Sequence, residues 1–186
     1  MDAIIMCGMP AVGKTTVAKT IASKLNLPLV GGGDILKEIA VEQGYRAAGD
    51  DWWDTAEGMQ FLEKRKGSPK FDKEVDARLL KKVEKGDVVI TSYTVPWLTK
   101  KGIKVWLSGT PESRSVRMAK RDASTPEESL RVIAKRDEEN YSLYRSLYGI
   151  EFGRDLSPFQ LVVGTDGIAA EKVAKEIMDY IAAIRS

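Results

Sequence analysis

The chain has 186 residues, 43% of them hydrophobic and 30% charged, and a formal charge of +2. This length suffices for one domain with a full core around a central sheet, and so small a charge gives no electrostatic footing for a nucleic-acid polymer or an anionic membrane. Histidine is absent and cysteine occurs once, at Cys7; that excludes serine–histidine and cysteine–histidine triads, imidazole acid–base chemistry and any internal disulfide.

No apolar run approaches the roughly 18 residues that a bilayer span needs. The opening Met1-Asp2-Ala3-Ile4-Ile5 has neither a basic n-region nor a long apolar h-region and does not read as a secretory signal. A single thiol fits a reducing, cytoplasmic setting. Along the chain, short apolar runs alternate with longer amphipathic segments, the signature of an α/β fold with parallel strands. Ala3–Cys7 reads as the first strand, with Cys7 a buried strand residue, and Lys14–Leu25 as the first helix. Pro28–Val30 is a short strand closed by Gly31-Gly32-Gly33. Helical patterns follow over Ile35–Gln43, Trp52–Lys64 and Pro69–Glu84. Between the last two lies the basic turn Lys64-Arg65-Lys66-Gly67-Ser68-Pro69, either a solvated loop or an attractor for an anion. Val88–Thr91 and Ile103–Leu107 are further strands, with a helix over Glu112–Arg121. Ser124-Thr125-Pro126-Glu127-Glu128 opens a long helix to Tyr148, with Ser124 or Thr125 as its cap. Leu161–Val163 is the fifth strand and Ile168–Ile184 the closing helix.

Between the first strand and the first helix stands Gly8-Met9-Pro10-Ala11-Val12-Gly13-Lys14-Thr15, a gapless G-x-x-x-x-G-K-[ST] loop. Glycines let backbone amides turn inward around phosphates, and the following helix adds its free amides and the positive end of its dipole. Gly8, Pro10, Ala11, Val12, Gly13, Lys14, Thr15 and Thr16 are therefore expected to bind ATP. Lys14 would reach the β- and γ-phosphates and the Thr15 hydroxyl would hold Mg²⁺. No Asn-Lys-x-Asp base-reading motif of a GTPase is present, and a compact loop protein of this length fits a nucleotide or metabolite kinase.

Gly31-Gly32-Gly33-Asp34 would lie opposite that loop, where a phosphoryl acceptor must sit. Asp34 caps a helix, contacts the acceptor, or acts as general base toward an alcohol. Trp52 and Trp53, beside Asp50 and Asp51, read as a cover on the local core or as a stacking platform. Arg114, Arg117 and Arg121 share one helix face at i, i+3 and i+7. Arg131 and Arg136 fall on the next helix. The two helices form a cationic clamp over transferring phosphates or a solvated face neutralised by Asp122, Asp137, Glu138 and Glu139.

The chain resembles the archaeal-type cytidylate kinases of the nucleoside monophosphate kinase group from about Met1 to Ile181. The resemblance is carried by the Gly8–Thr15 loop, Gly33-Asp34-Ile35 with Glu38-Ile39-Ala40, and Phe71-Asp72-Lys73-Glu74-Val75-Asp76. Val105-Trp106-Leu107, Arg114 to Asp122, Tyr144, Tyr148-Gly149-Ile150 and Leu161 to Thr165 continue it. It implies a five-stranded parallel sheet of the P-loop NTPase fold flanked by helices, transfer of the ATP γ-phosphate to CMP or dCMP, and an adenine-side turn at Thr165. Departures fall on the acceptor side: Lys37 stands where the family tends to have arginine, Thr91-Ser92-Tyr93-Thr94 where it has Gly-Arg, and Leu143 where it has arginine, with Arg145 nearby. Expected assignments are catalysis by Lys14, Arg117, Arg121 and Asp34, and acceptor binding by Gly33, Asp34, Lys37, Ser92, Tyr93, Arg131 and Arg136. One kinase domain is expected, with core 1–30, 86–122 and 159–186, an acceptor-binding insertion at about 31–70 and a lid at about 114–137. Its partner is a small-molecule substrate, and it acts as a monomer or homodimer. Two other readings remain: a kinase for another small metabolite with Asp34 as base, and a non-catalytic nucleotide-binding regulator.

Overall fold

The computed structural model describes residues 1–47, 52, 55–66 and 68–185. Its centre is a five-stranded parallel sheet in the order β2-β3-β1-β4-β5, formed by β1 Ile4–Gly8, β2 Leu29–Gly31, β3 Val89–Thr91, β4 Ile103–Ser108 and β5 Leu161–Gly164. β1 is buried along its whole length, as a parallel strand covered on both faces must be. It pairs Ile4 to Met6 with Val89 to Thr91, and Ile4 to Gly8 with Ile103 to Leu107. From β1 the chain leaves toward β2 at one edge, whereas its neighbour β4 leads to β5 at the other. The carboxyl end of β1 therefore opens at a switch in the winding, where open α/β sheets leave a crevice.

The two-residue period of β1 divides the core. Ile4 and Met6 face α1 Lys14–Leu25 and α8 Ala170–Ala183, joining Val17, Ile21, Leu107, Val163 and Ile177. Ile5 faces α2 Gly32–Glu42 and α4 Pro69–Lys85, with Ile35, Leu79, Ile90 and Phe61 of α3 Ala56–Lys66. Cys7, also on that side, packs with Trp106, Tyr144, Ile150 and Phe152.

Most expected elements are present within a residue or two, with three differences. α2 begins at Gly32, because the Gly31 amide donates to Asp34 Oδ2 at 2.7 Å and closes the helix start. α3 begins at Ala56; Trp52 precedes it, buried against Tyr45 and Phe61 with ring centroids 6.4 and 5.8 Å away. Trp52 is thus a core residue, its indole N–H directed to Glu57 at 3.3 Å. Asp50, Asp51, Trp53 and Gly67 lie outside the described residues. The third difference is a short helix, α5 Val95–Leu98, absent from the sequence reading because four residues carry no period. Lys64 of the basic turn donates to Gln43 at 2.8 Å.

α6 Pro111–Asp122 and α7 Pro126–Tyr148 form a hairpin turned at Ala123, which has φ 51°. Thr125 is the α7 cap: its hydroxyl accepts from the Glu128 amide at 3.2 Å, and Glu128 returns the bond to the Thr125 amide at 3.0 Å. Such reciprocal bonds satisfy two orphan donors. Inside the hairpin, Arg114 is 2% exposed and grips Asp137 with two bonds of 3.0 and 2.6 Å. Removing one partner of a buried pair strands the other's charge. Arg114→Leu is expected to lower the unfolding free energy by about 3 kcal/mol, measured by urea titration.

Candidate active site

The loop after β1 is shaped by backbone geometry that its residues make possible. Gly8 has φ 147°, and a Cβ there would stand 2.4 Å from the Leu107 carbonyl oxygen, so only glycine fits between the two strands. Gly13, at φ 99°, opens α1 without any side-chain cap. The α1 ladder starts with the Val17 amide on the Gly13 carbonyl at 3.1 Å; the amides of Lys14, Thr15 and Thr16 precede it and have no helical acceptor. Thr15 and Thr16 are exposed at this helix start. The result is a set of amides without helical acceptors at the positive end of a helix dipole, a site suited to a polyanion. Two α6 arginines brace the loop from outside: Arg114 reaches the Pro10 carbonyl at 3.2 Å and Arg117 the Val12 carbonyl at 3.5 Å.

Lys14 Nζ donates to the Gly8 and Met9 carbonyls at 2.7 and 2.9 Å and lies 4.6 Å from the centroid of the Tyr93 ring. Burial pulls its pKa down to about 8, and the positive charges of Arg136 and Arg114 act the same way, while Asp137 opposes them. Burial pushes the Cys7 thiol up to about 12, which keeps it protonated and inert. Arg136 of α7 is exposed, and its charge, with that of Arg121, also bears on Tyr93.

The remaining candidates separate into groups. Arg117 donates to the Thr165 hydroxyl at 3.0 Å and to the Thr165 carbonyl, and Thr165 in turn donates to the Ser108 carbonyl. This links α6 to the end of β5. Arg121 is paired with its neighbour Asp122 at 2.5 Å and is 60% exposed. The three arginines expected on one face thus have distinct partners, and Arg114 is an internal brace. Arg131 is exposed on α7. Asp34, Gly33 and Lys37 lie together on the first turns of α2; a Cβ on Gly33 would meet nothing within 4 Å, leaving open space above it. Ser92 is buried, and its hydroxyl accepts from the Thr94 and Val95 amides at 3.2 and 3.1 Å, which makes it the staple of the β3–α5 turn. Arg145 binds the Tyr141 hydroxyl at 2.8 Å and faces Glu151 at 3.4 Å.

Sequence reading missed Asp76. This buried carboxylate on α4 accepts from the Thr94 hydroxyl at 2.5 Å and the Tyr148 hydroxyl at 2.7 Å. The signal was available: Asp76 adjoins the apolar stripe Val75, Leu79 and Val83, a place where an unpartnered acid is costly. Sequence reading also missed a groove of about 370 Å³ at the ends of β4 and β5, lined by Ser108, Gly109, Thr110, Gly164, Asp166 and Ile168. Asp166 accepts the Thr110 amide there, which holds its carboxyl below the usual range.

A family model described as "AAA domain" matches residues 7–139. The cytidylate kinase of Pyrobaculum aerophilum is 33% identical over 185 residues, covering 97% of this chain and 92% of that one. The cytidylate kinase of Ignicoccus hospitalis is 31% identical over 179 residues, covering 95% and 97%. The chain belongs to the cytidylate kinase family. It is an ATP-dependent kinase of the P-loop type. Among solved structures, a shikimate kinase from Bacteroides thetaiotaomicron superposes with a TM-score of 0.62 at 20% identity, covering 97% of this chain and 98% of that one. At that identity the likeness speaks to the shared fold. Among the described residues, no helix is long and apolar enough to cross a membrane.

Two outcomes follow from this geometry. Gly8→Ala is expected to abolish ATP binding in a calorimetric titration, since its Cβ would collide with the Leu107 carbonyl. The lowered Lys14 pKa gives opposite pH trends. Between about pH 8 and 10.5 the unfolded chain holds a proton on Lys14 that the free folded protein has lost, so stability from this group rises with pH across that window. ATP affinity falls over the same window as the ammonium is lost. Urea midpoints and ATP titrations at pH 7, 8, 9 and 10 check both trends, with Lys14→Met as the control that flattens them.

Proposed function

We propose that this protein transfers the γ-phosphate of ATP to CMP or dCMP, with Mg²⁺ as the accompanying ion, in the cytoplasm. The observation that carries the reading is the junction of an anion cradle at Gly8–Thr16 with a half-buried, carbonyl-anchored Lys14. The names of the relatives supply the acceptor. ATP·Mg²⁺ brings the transferable phosphoryl group and the ion that offsets charge between the β- and γ-phosphates.

The chain's own residues then work by position and charge. The amides at the start of α1 hold the donor phosphates, and Lys14 directs its remaining donor toward the oxygens between donor and acceptor. Thr15 offers its hydroxyl to the ion. An ion held there would take its remaining ligands largely from phosphate oxygens and water, as is usual for Mg²⁺. Arg136 and Arg121, whose charges bear on Tyr93 beside Lys14, are the lid residues that close over the phosphates. Arg117 and Thr165 shape the donor-base side. The insertion at about 31–70 presents Gly33, Asp34 and Lys37 to the acceptor. An acceptor monophosphate is already an anion and needs no base. Asp34, whose Oδ2 takes the Gly31 amide, serves as cap and acceptor contact.

The test is ADP release by the purified protein with ATP·Mg²⁺ and a panel of CMP, dCMP, UMP, AMP, GMP, polyols and hydroxy acids. Turnover with CMP or dCMP well above the others is expected, and Lys14→Ala is expected to reduce kcat/KM by at least about a hundredfold. Turnover only with a hydroxyl acceptor would overturn the acceptor assignment. Unchanged turnover in Lys14→Ala would overturn the cradle itself.

A further inference from the structure

We propose that Tyr93 is a positioning residue for Lys14: the β3–α5 turn holds its ring against the ammonium group and fixes where that group points. The inference rests on the phosphoryl-transfer reading above and adds to it the device that aims the lysine.

The contact is direct, with Nζ 4.6 Å from the ring centroid. Two of the three ammonium hydrogens go to the Gly8 and Met9 carbonyls. Carbonyls on one side and an aromatic ring on another leave a flexible four-carbon stem few directions in which to point its remaining donor. A ring beside a desolvated ammonium also stabilises its charge, which matters at a site whose burial opposes that charge.

The ring cannot drift. It stacks on Tyr144 at 6.0 Å and 29°, and meets Phe152 edge-on at 5.6 Å. Its backbone is fixed from three elements. The Ser92 amide donates to the Met6 carbonyl of β1 at 3.2 Å, and the Cys7 thiol lies 3.7 Å from the Tyr93 carbonyl oxygen. The Ser92 hydroxyl ties the turn to itself, and the Thr94 hydroxyl donates to Asp76 of α4 at 2.5 Å. Asp76 also accepts from Tyr148 at the end of α7. A buried carboxylate thus joins the acceptor-side helix, the helix bearing Arg136 and the turn that carries Tyr93. Packing alone would need only an apolar turn here; this hydroxyl–carboxylate chain fixes direction as well.

The experiment compares kcat and KM for ATP and for CMP in Tyr93→Leu, Tyr93→Phe, Thr94→Val and the Leu/Val double variant, with thermal unfolding of each. Tyr93→Leu is expected to lower kcat/KM for ATP about tenfold and to leave KM for CMP within about twofold. Tyr93→Phe, which keeps the ring, recovers the loss to within about threefold. Thr94→Val gives a smaller loss, and the double variant is no worse than Tyr93→Leu, because both act through one ring. A lowered unfolding temperature with unchanged kcat/KM for ATP would overturn the proposal and leave Tyr93 as core. A loss confined to KM for CMP would overturn it in favour of an acceptor contact. If Tyr93→Leu does not fold, Thr94→Val decides: unchanged kcat/KM for ATP rejects the proposal and a loss rescued in part by Thr94→Ser supports it. Failure of the underlying reading is seen separately, as unchanged turnover in Lys14→Ala.

Discussion

The start of α1 is a row of backbone amides with no acceptor of its own, beside a lysine ammonium drawn out of water. Both attract an anion. The free protein answers this in part with the Gly8 and Met9 carbonyls and the Tyr93 ring. On the proposed function, phosphate answers the remainder. Much of the surrounding structure keeps the cradle from relaxing into a shape that would satisfy itself. The Leu107 carbonyl walls off Gly8, and Arg114 and Arg117 hold the Pro10 and Val12 carbonyls from behind.

Those braces also connect the cradle to α6 and α7. Arg114 is fixed by Asp137 of α7, so the loop, α6 and α7 share one buried ion pair. Arg136, one residue before Asp137, is exposed and adds its charge to the Lys14 side. Burial of the guanidinium of Arg114 costs solvation, but it sets the register of two helices and hence the place of Arg136. A second buried acid, Asp76, does the same elsewhere by joining α4, the β3–α5 turn and the end of α7 through hydroxyls.

Much of this was legible in the sequence where local pattern decides. The strands carry continuous apolar runs, the Gly8–Thr15 loop is contiguous, and Thr125 with Glu128 forms a cap within four residues; each is fixed by near neighbours. What was not legible depends on partners far along the chain. Arg114 shares a face with Arg117 and Arg121 in any helical projection, and only Asp137, 23 residues on, takes it out of solvent. Ser92 and Tyr93 read as candidate acceptor contacts because they stand where the resembled family has Gly-Arg. Their tasks, stapling a turn and flanking Lys14, follow from how β3 lies beside β1. Asp34 was left open between cap, acceptor contact and base, and its bond to the Gly31 amide favours the cap. α5 is four residues long and begins at Val95, too short for any periodicity to announce it.

The most direct test of the central claim is a crystal structure of the protein with ADP, Mg²⁺ and CMP. The ADP β-phosphate is expected within hydrogen-bond reach of the Gly13–Thr16 amides and of Lys14 Nζ, with the Tyr93 ring still against the lysine and CMP over Gly33 and Asp34. ADP bound elsewhere, or phosphates in the loop with Lys14 turned away from them, would contradict the account.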